Sequence, residues 1–198
     1  NEILQNAIDR VHHTPSMRNV RVSVDTSTPD TVQVTVHNDG LGIPIRRVTS
    51  NEVGNMAPAA VHAMLHGAGC HAPEECTQYP WLPTAVFALG NFGSNYSRSR
   101  PAFAGGRNGI GAKAVNASAS MFSVTTCDGV HTFTQTWSDG ASMCTPPAIA
   151  RAPAQPQGTT VQWKPDLTFL GCKGAVNDRV VLAMRDAVLG AAAWCAPL

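Results

Sequence analysis

What this chain lacks narrows it first. Of its 198 residues only 14% are charged and 6% aromatic. Fourteen Lys and Arg against 13 Asp and Glu leave a formal net charge of +1, with no basic stripe. A surface that grips a nucleic-acid duplex needs such a stripe, so this piece is not expected to hold one itself. No apolar run approaches the ~20 residues that span a bilayer, and no secretory leader pattern opens the chain. There is no low-complexity tract. The six cysteines, Cys70, Cys76, Cys127, Cys144, Cys172 and Cys195, include no Cys-x-x-Cys pair. Their dispersal predicts reduced thiols in an intracellular compartment. What is present is 43% hydrophobic, the profile of one globular domain with a sizeable core. The first residues already lie in a helical pattern, so the chain reads as an excised fragment, from which localisation signals can be missing.

Periodicity sets the organisation. From Glu2 to about Val11, Ile3, Leu4, Ala7 and Ile8 form an apolar stripe, while Glu2, Asn6 and Asp9 fall on the other side of a helix. Val20–Asp25 and Val32–Val36 alternate with period two across Ser27-Thr28-Pro29-Asp30, predicting a hairpin. Helices are expected over Ala57–Gly67 and Pro83–Gly90, the second with Pro in its first turn. A polar segment spans Asn91–Arg107, and a helix follows from Gly111 to about Ser118. Met121–Cys127 and Val130–Thr136 alternate across Asp128-Gly129, a strong hairpin signal. Pro146–Gly158 reads as loop, Thr159–Trp163 as strand and Val176–Ala193 as helix. The sum predicts an α/β (α+β) two-layer sandwich, a mixed, largely antiparallel sheet with helices on one face.

One segment stands out. Gly105-Gly106-Arg107-Asn108-Gly109-Ile110-Gly111-Ala112-Lys113 puts four glycines, two cations and an amide in nine residues. Bare N–H donors beside Arg and Lys at a helix start suit a polyphosphate. A P-loop fails on spacing: Ala112 intervenes before Lys113, and Ala114 stands where a hydroxyl would hold Mg²⁺. A dinucleotide fingerprint fails on context, because the polar Ser97-Arg98-Ser99-Arg100-Pro101 precedes it where a buried strand should be. A flexible surface loop is the plain alternative.

Three segments in order decide among these: Glu2-Ile3-Leu4-Gln5-Asn6-Ala7, Asn38-Asp39-Gly40-Leu41-Gly42-Ile43-Pro44, and Gly105–Lys113. Together they resemble the ATPase superfamily of gyrase, chaperones, histidine kinases and mismatch-repair proteins. Ser94-Asn95-Tyr96, Gln135-Thr136-Trp137 and Lys164-Pro165-Asp166-Leu167 narrow the resemblance to the eukaryotic branch of type II DNA topoisomerases. It covers nearly the whole chain apart from an insertion at about 48–81. It implies a Bergerat-type ATP-binding fold, one domain over 1–198, with ATP between the sheet and a lid. It also implies ATP and Mg²⁺ as cofactors, a homodimer closed by ATP as a gate for duplex DNA, and a nuclear location, with an organelle as the alternative. A lysine from the following domain would reach the γ-phosphate, so the fragment alone is expected to hydrolyse ATP slowly. Two rivals stay open: a related chaperone or mismatch-repair ATPase, and a nucleotide-locked dimerisation module without turnover.

The same resemblance assigns roles. Glu2 corresponds to the glutamate that activates the attacking water, and Asn6 to the Mg²⁺ ligand. Asn38 would read the adenine amino group with its amide oxygen, leaving Asp39 secondary. Ile43 would wall the base. Gly93, Ser94 and Asn95 would touch ribose and phosphate. Gly106, Arg107, Asn108, Gly109, Ile110, Gly111, Ala112 and Lys113 would wrap the β- and γ-phosphates, with Lys113 as the point charge. Thr136 would line the pocket. Gly93 replaces a family Ser, Ile110 an aromatic, Arg10 an Asn, and His13 stands near a family Arg. In the insertion, His62, His66, Cys70, His71 and Cys76 could hold zinc, though free Cys and ordinary core or surface His are the default.

Overall fold

The computed structural model describes residues 2–9, 14, 17–28, 31–65, 76–92, 109–152, 154–171 and 178–195. Five α-helices and seven strands are seen among them: α1 (Glu2–Asp9), β1 (Val20–Asp25), β2 (Gln33–Asn38), α2 (Pro58–Met64), α3 (Leu82–Ala88), α4 (Gly111–Ala117), β3 (Ala119–Cys127), β4 (His131–Ser138), β5 (Met143–Cys144), β6 (Ala148–Arg151), β7 (Gly158–Pro165) and α5 (Asp178–Cys195). The strands form one sheet in the order β1-β2-β7-β3-β4-β5, with β6 also on β4. Every described pairing is antiparallel.

Alternation along the strands separates two faces. Val36, Val161, Val124 and Gln135 lie in one cross-strand row, and Asn38, Thr159, Thr126 and Phe133 in the next. All eight are buried. Val36, Val161, Val124, Phe122 and Trp137 share one core with Ile3 and Ala7 of α1, Val61 of α2, Ala85 and Phe87 of α3, and Ala112 of α4. Phe87, Phe122 and Trp137 stack in series with ring centroids 5.7 and 6.0 Å apart. Tilted and edge geometries of this kind add about 0.5–1.5 kcal/mol per pair beyond area burial. The opposite face is a lattice of polar side chains. Ser123 meets Thr136 at 2.9 Å, Thr125 meets Thr134 at 3.2 Å, and His37 meets Thr160 at 2.9 Å. Helices on one face and hydroxyls on the other give the expected two-layer sandwich.

Several details differ from expectation. β2 runs two residues past Val36, so Asn38 ends the strand, paired to Val20 and Thr159. β5 and β6 were not expected, and Pro146–Gly158 is not all loop. Both strands are short and lack alternation; their pairing with β4 creates them.

The segment 48–81 builds part of the main core through Val53 and Val61. Arg47 lies 4.3 Å from the Trp81 ring centroid and donates to the Tyr79 carbonyl, closing the base of the segment. The zinc alternative is not supported among the described residues. His62 spends Nε2 on the Gln78 carbonyl at 2.9 Å, and Cys76 is disulfide-bonded. His66, Cys70 and His71 lie outside the described residues. The disulfide at Cys76 also corrects the expectation of reduced thiols throughout, although Cys127 and Cys144 remain thiols. Spacing along a chain does not reveal which thiols a fold brings together.

Candidate functional site

Asn38 occupies the last position of β2, facing the helices. Its residue is 7% exposed, and Oδ1 is buried with no hydrogen-bond partner in the described structure. An unmet buried acceptor costs about 1–3 kcal/mol, so the position favours a ligand that brings a donor. Asp39, its neighbour, is already committed. Its Oδ1 accepts the amides of Arg18 and Asn19, each at 2.9 Å, and Oδ2 accepts Asn19 Nδ2 at 2.7 Å. Burial pushes this carboxyl upward, but the bonds from Asn19 and Arg18 outweigh it and hold the pKa below the ordinary value.

The loop beyond turns in little space. A Cβ on Gly40 would stand 3.0 Å from Met17 Sδ and 3.5 Å from Asn38 Oδ1. A Cβ on Gly42 would collide with the Cys127 carbonyl. Ile43 is half-buried against the core and donates its N–H to Thr126 Oγ1 at 2.8 Å. Thr126 in turn meets Thr159 Oγ1 at 2.9 Å. Thr126, Thr159 and Met17 were not singled out from the sequence. Threonines in strands carry no local signal of a site, and only the register Asn38–Thr159–Thr126 joins them.

A second group gathers where α1 meets α4. Glu2 is exposed at the start of α1, and a Cβ on Gly111, the first residue of α4, would collide with Glu2 Oε2. Asn6 is exposed one turn further along α1, while Ile3, Ala7 and Ile8 face the core. Gly109 has φ +58°, Ile110 is 49% exposed, and Ala112 is buried. Lys113 Nζ donates to the Phe92 carbonyl at 2.6 Å, and burial lowers its pKa to about 8. That bond ties together the two sides of the segment 93–112.

Of the other expected residues, most fall where the structure gives no description and one lies elsewhere. Gly93, Ser94, Asn95, Gly106, Arg107 and Asn108 lie outside the described residues, as do Arg10 and His13. Thr136 is placed away from Asn38. Its neighbours Gln135 and Trp137 face the helices, so Thr136 projects to the other face, where its hydroxyl meets Ser123. The buried member of Gln135-Thr136-Trp137 with a polar role is Gln135, which accepts from Thr84 Oγ1 at 2.7 Å and donates to the Thr145 carbonyl at 3.0 Å.

Chemically, the described site offers a buried acceptor at one end, a carboxylate against the start of α4, and an ammonium on the same helix. That combination suits a ligand with an amino-bearing ring and an anionic tail.

Comparison with known proteins agrees in kind. The model of the histidine kinase-, DNA gyrase B-, and HSP90-like ATPase family matches residues 1–168. The chain is 30% identical over 179 residues to DNA topoisomerase 2 of Candida glabrata, covering 89% of this chain and 11% of that protein. It is 31% identical over 179 residues to DNA topoisomerase 2 of Saccharomyces cerevisiae, covering 89% and 10%. The crystal structure of the ATPase region of Saccharomyces cerevisiae topoisomerase II superposes with a TM-score of 0.73 at 30% identity, over 93% of this chain and 41% of that one. The chain thus spans about a tenth of the length of these curated relatives.

Proposed function

This chain belongs to the histidine kinase-, DNA gyrase B- and HSP90-like ATPase family, and we propose that it is the ATP-binding and ATP-hydrolysing domain of a type II DNA topoisomerase. The observation that carries the reading is the buried Oδ1 of Asn38 at the end of β2, unmet among the described residues. Adenine presents an exocyclic amino group that would meet it; guanine presents a carbonyl oxygen there, which would face the amide oxygen and be rejected. Glu2 is the candidate base, its carboxylate adjoining the first residue of α4. It would accept a proton from the water attacking the γ-phosphate. Lys113 would leave the Phe92 carbonyl for the phosphates, where its charge is better matched. Gly109 to Ala112 would present backbone N–H groups to the same anion. Asn6, exposed one turn from Glu2, would supply an amide oxygen to Mg²⁺, which shields phosphate charge when bound.

In the whole enzyme, ATP would close two copies of this domain into a gate for duplex DNA, and hydrolysis would reset it. Other domains would contact the DNA, in keeping with a net charge of +1. The proposed location is the nucleus, with an organelle as the alternative. The curated relatives favour this reading over a chaperone or mismatch-repair ATPase. The rival of a dimerisation module without turnover is separated by Glu2→Ala in the full-length protein. Binding should survive and turnover should be lost; unchanged turnover would overturn the assignment of Glu2.

The reading itself is tested by calorimetric titration with non-hydrolysable ATP and GTP analogues. The ATP analogue should bind at least tenfold more tightly, and Asn38→Ala should abolish the difference. Equal affinity for both bases in the unaltered protein would overturn it.

A further inference from the structure

The turn between β3 and β4 reaches across to the glycine loop at three consecutive residues. Thr126 Oγ1 accepts the Ile43 amide at 2.8 Å. The carbonyl of Cys127 lies so close to Gly42 that no Cβ fits between them. Asp128 Oδ2 accepts the Ile45 amide at 3.0 Å. These three positions engage 43, 42 and 45, the stretch directly beyond Asn38. Asp128 is shared: its Oδ1 accepts the amides of Val130 at 2.9 Å and His131 at 2.8 Å, forming the hairpin turn itself. The turn is braced from a third direction by Gln157 Nε2, which donates to the Asp128 carbonyl at 2.7 Å.

From this we infer that Thr126 and Asp128 are positioning residues for the base. They moor the Gly42–Ile45 loop to the β3–β4 turn and so fix where Ile43 stands relative to Asn38. The inference rests on the proposal that adenine lies against Asn38. Each side chain satisfies a backbone N–H of a loop that forms no strand or helix there. The free ends of that loop would otherwise sample several conformations, and a base wall that wanders loses affinity by the fraction of time spent misplaced. Asp128 remains ionised for this work. Burial pushes its carboxyl upward, but bonds from His131, Val130 and Ile45 outweigh it and hold the pKa below the ordinary value. Asp128-Gly129 is legible in the sequence as a turn, yet one oxygen of the Asp128 carboxylate serves a loop 83 residues away.

Asp128→Asn separates the two jobs. The amide oxygen can keep the turn bonds, and Asn-Gly is itself a favoured hairpin turn, while the NH₂ group then opposes the Ile45 N–H. Thr126→Val removes the acceptor for Ile43, and Thr126→Ser restores it. The probes are a non-hydrolysable ATP analogue and inorganic tripolyphosphate, titrated into each variant. Both Asp128→Asn and Thr126→Val should weaken the ATP analogue about tenfold, in line with one lost hydrogen bond. Tripolyphosphate binding should stay unchanged, and Thr126→Ser should recover the analogue. A variant that merely misfolds would lose both ligands, and such parallel loss would overturn the positioning role. So would full retention of analogue affinity. If the unaltered protein binds tripolyphosphate but gains nothing from the base, the adenine reading fails instead.

Discussion

Glu2 and Gly111 occupy a space that admits no Cβ: the carboxylate of the first helix lies where a side chain on the first residue of α4 would begin. The chain's opening and its glycine-rich segment are therefore in direct contact across more than a hundred residues. Gly111→Ala tests what that closeness does. The obstructing atoms belong to the flexible end of Glu2, so the fold can yield, and Ala favours a helix by up to about 1 kcal/mol over Gly. The melting temperature should hold or rise. Turnover of the full-length enzyme should fall about a hundredfold, the usual scale for a displaced general base. In a Glu2→Ala background the same change should cost almost nothing further. Additive losses would show that Gly111 acts independently of Glu2.

Lys113 should give nucleotide binding an alkaline limit. Burial lowers its pKa from 10.5 to about 8, so the fold carries its ammonium at a cost. The sign for stability follows from the depressed value: between about pH 8 and 10.5 the unfolded chain binds the proton and the native chain does not, so this group's contribution rises with pH across that window. Nucleotide affinity should run the other way. Polyphosphate prefers the ammonium, and above pH 8 affinity should decline, approaching about tenfold per unit. Titrations from pH 7 to 9.5 should show the decline in the native protein and a flatter profile in Lys113→Met. Parallel profiles would remove Lys113 from the phosphate site.

Thr136 and Gln135 should behave as opposites. Thr136→Val touches only the hydroxyl lattice on the open face, and nucleotide affinity should not move. Gln135→Leu leaves the Thr84 hydroxyl without its acceptor inside the core. Denaturant unfolding should report a loss of about 1–3 kcal/mol. An affinity loss in Thr136→Val would return that residue to the site.

Metal analysis of the purified protein should find no stoichiometric zinc, since His62 and Cys76 are otherwise engaged. One zinc per chain would reverse this.

Much of the fold was legible because period carries it. α1 and the β1–β2 and β3–β4 hairpins show alternation or an apolar stripe, and their bounds shift by only a few residues. β5 and β6 were not legible, because four or fewer residues cannot display a period and their existence depends on β4. Of the candidate site, Glu2, Asn6, Asn38 and Gly111 could be named only through the family resemblance of the segments that hold them. Thr136 shows the weakness of that route: a matching motif names a neighbourhood, while strand alternation decides which member faces inward. Thr126, Thr159 and Asp128 were silent as site residues, because what unites them is cross-strand register and a long-range hydrogen bond.

The position of β7 carries a consequence for how this molecule comes into being. It is the last strand among the described residues, yet it lies in the middle of the sheet, between β2 and β3. Until residues 158–165 have been synthesised, no described strand pairing joins the first hairpin to the β3–β4 ladder, and each presents an open edge to solvent. Assembly must wait for pairings distant in sequence, which makes it slow and cooperative. A chain ending before Gly158 would hold its two sets of strands together only through the loop bonds of Ile43 and Ile45 and the helices, with two open edges exposed to association with other chains.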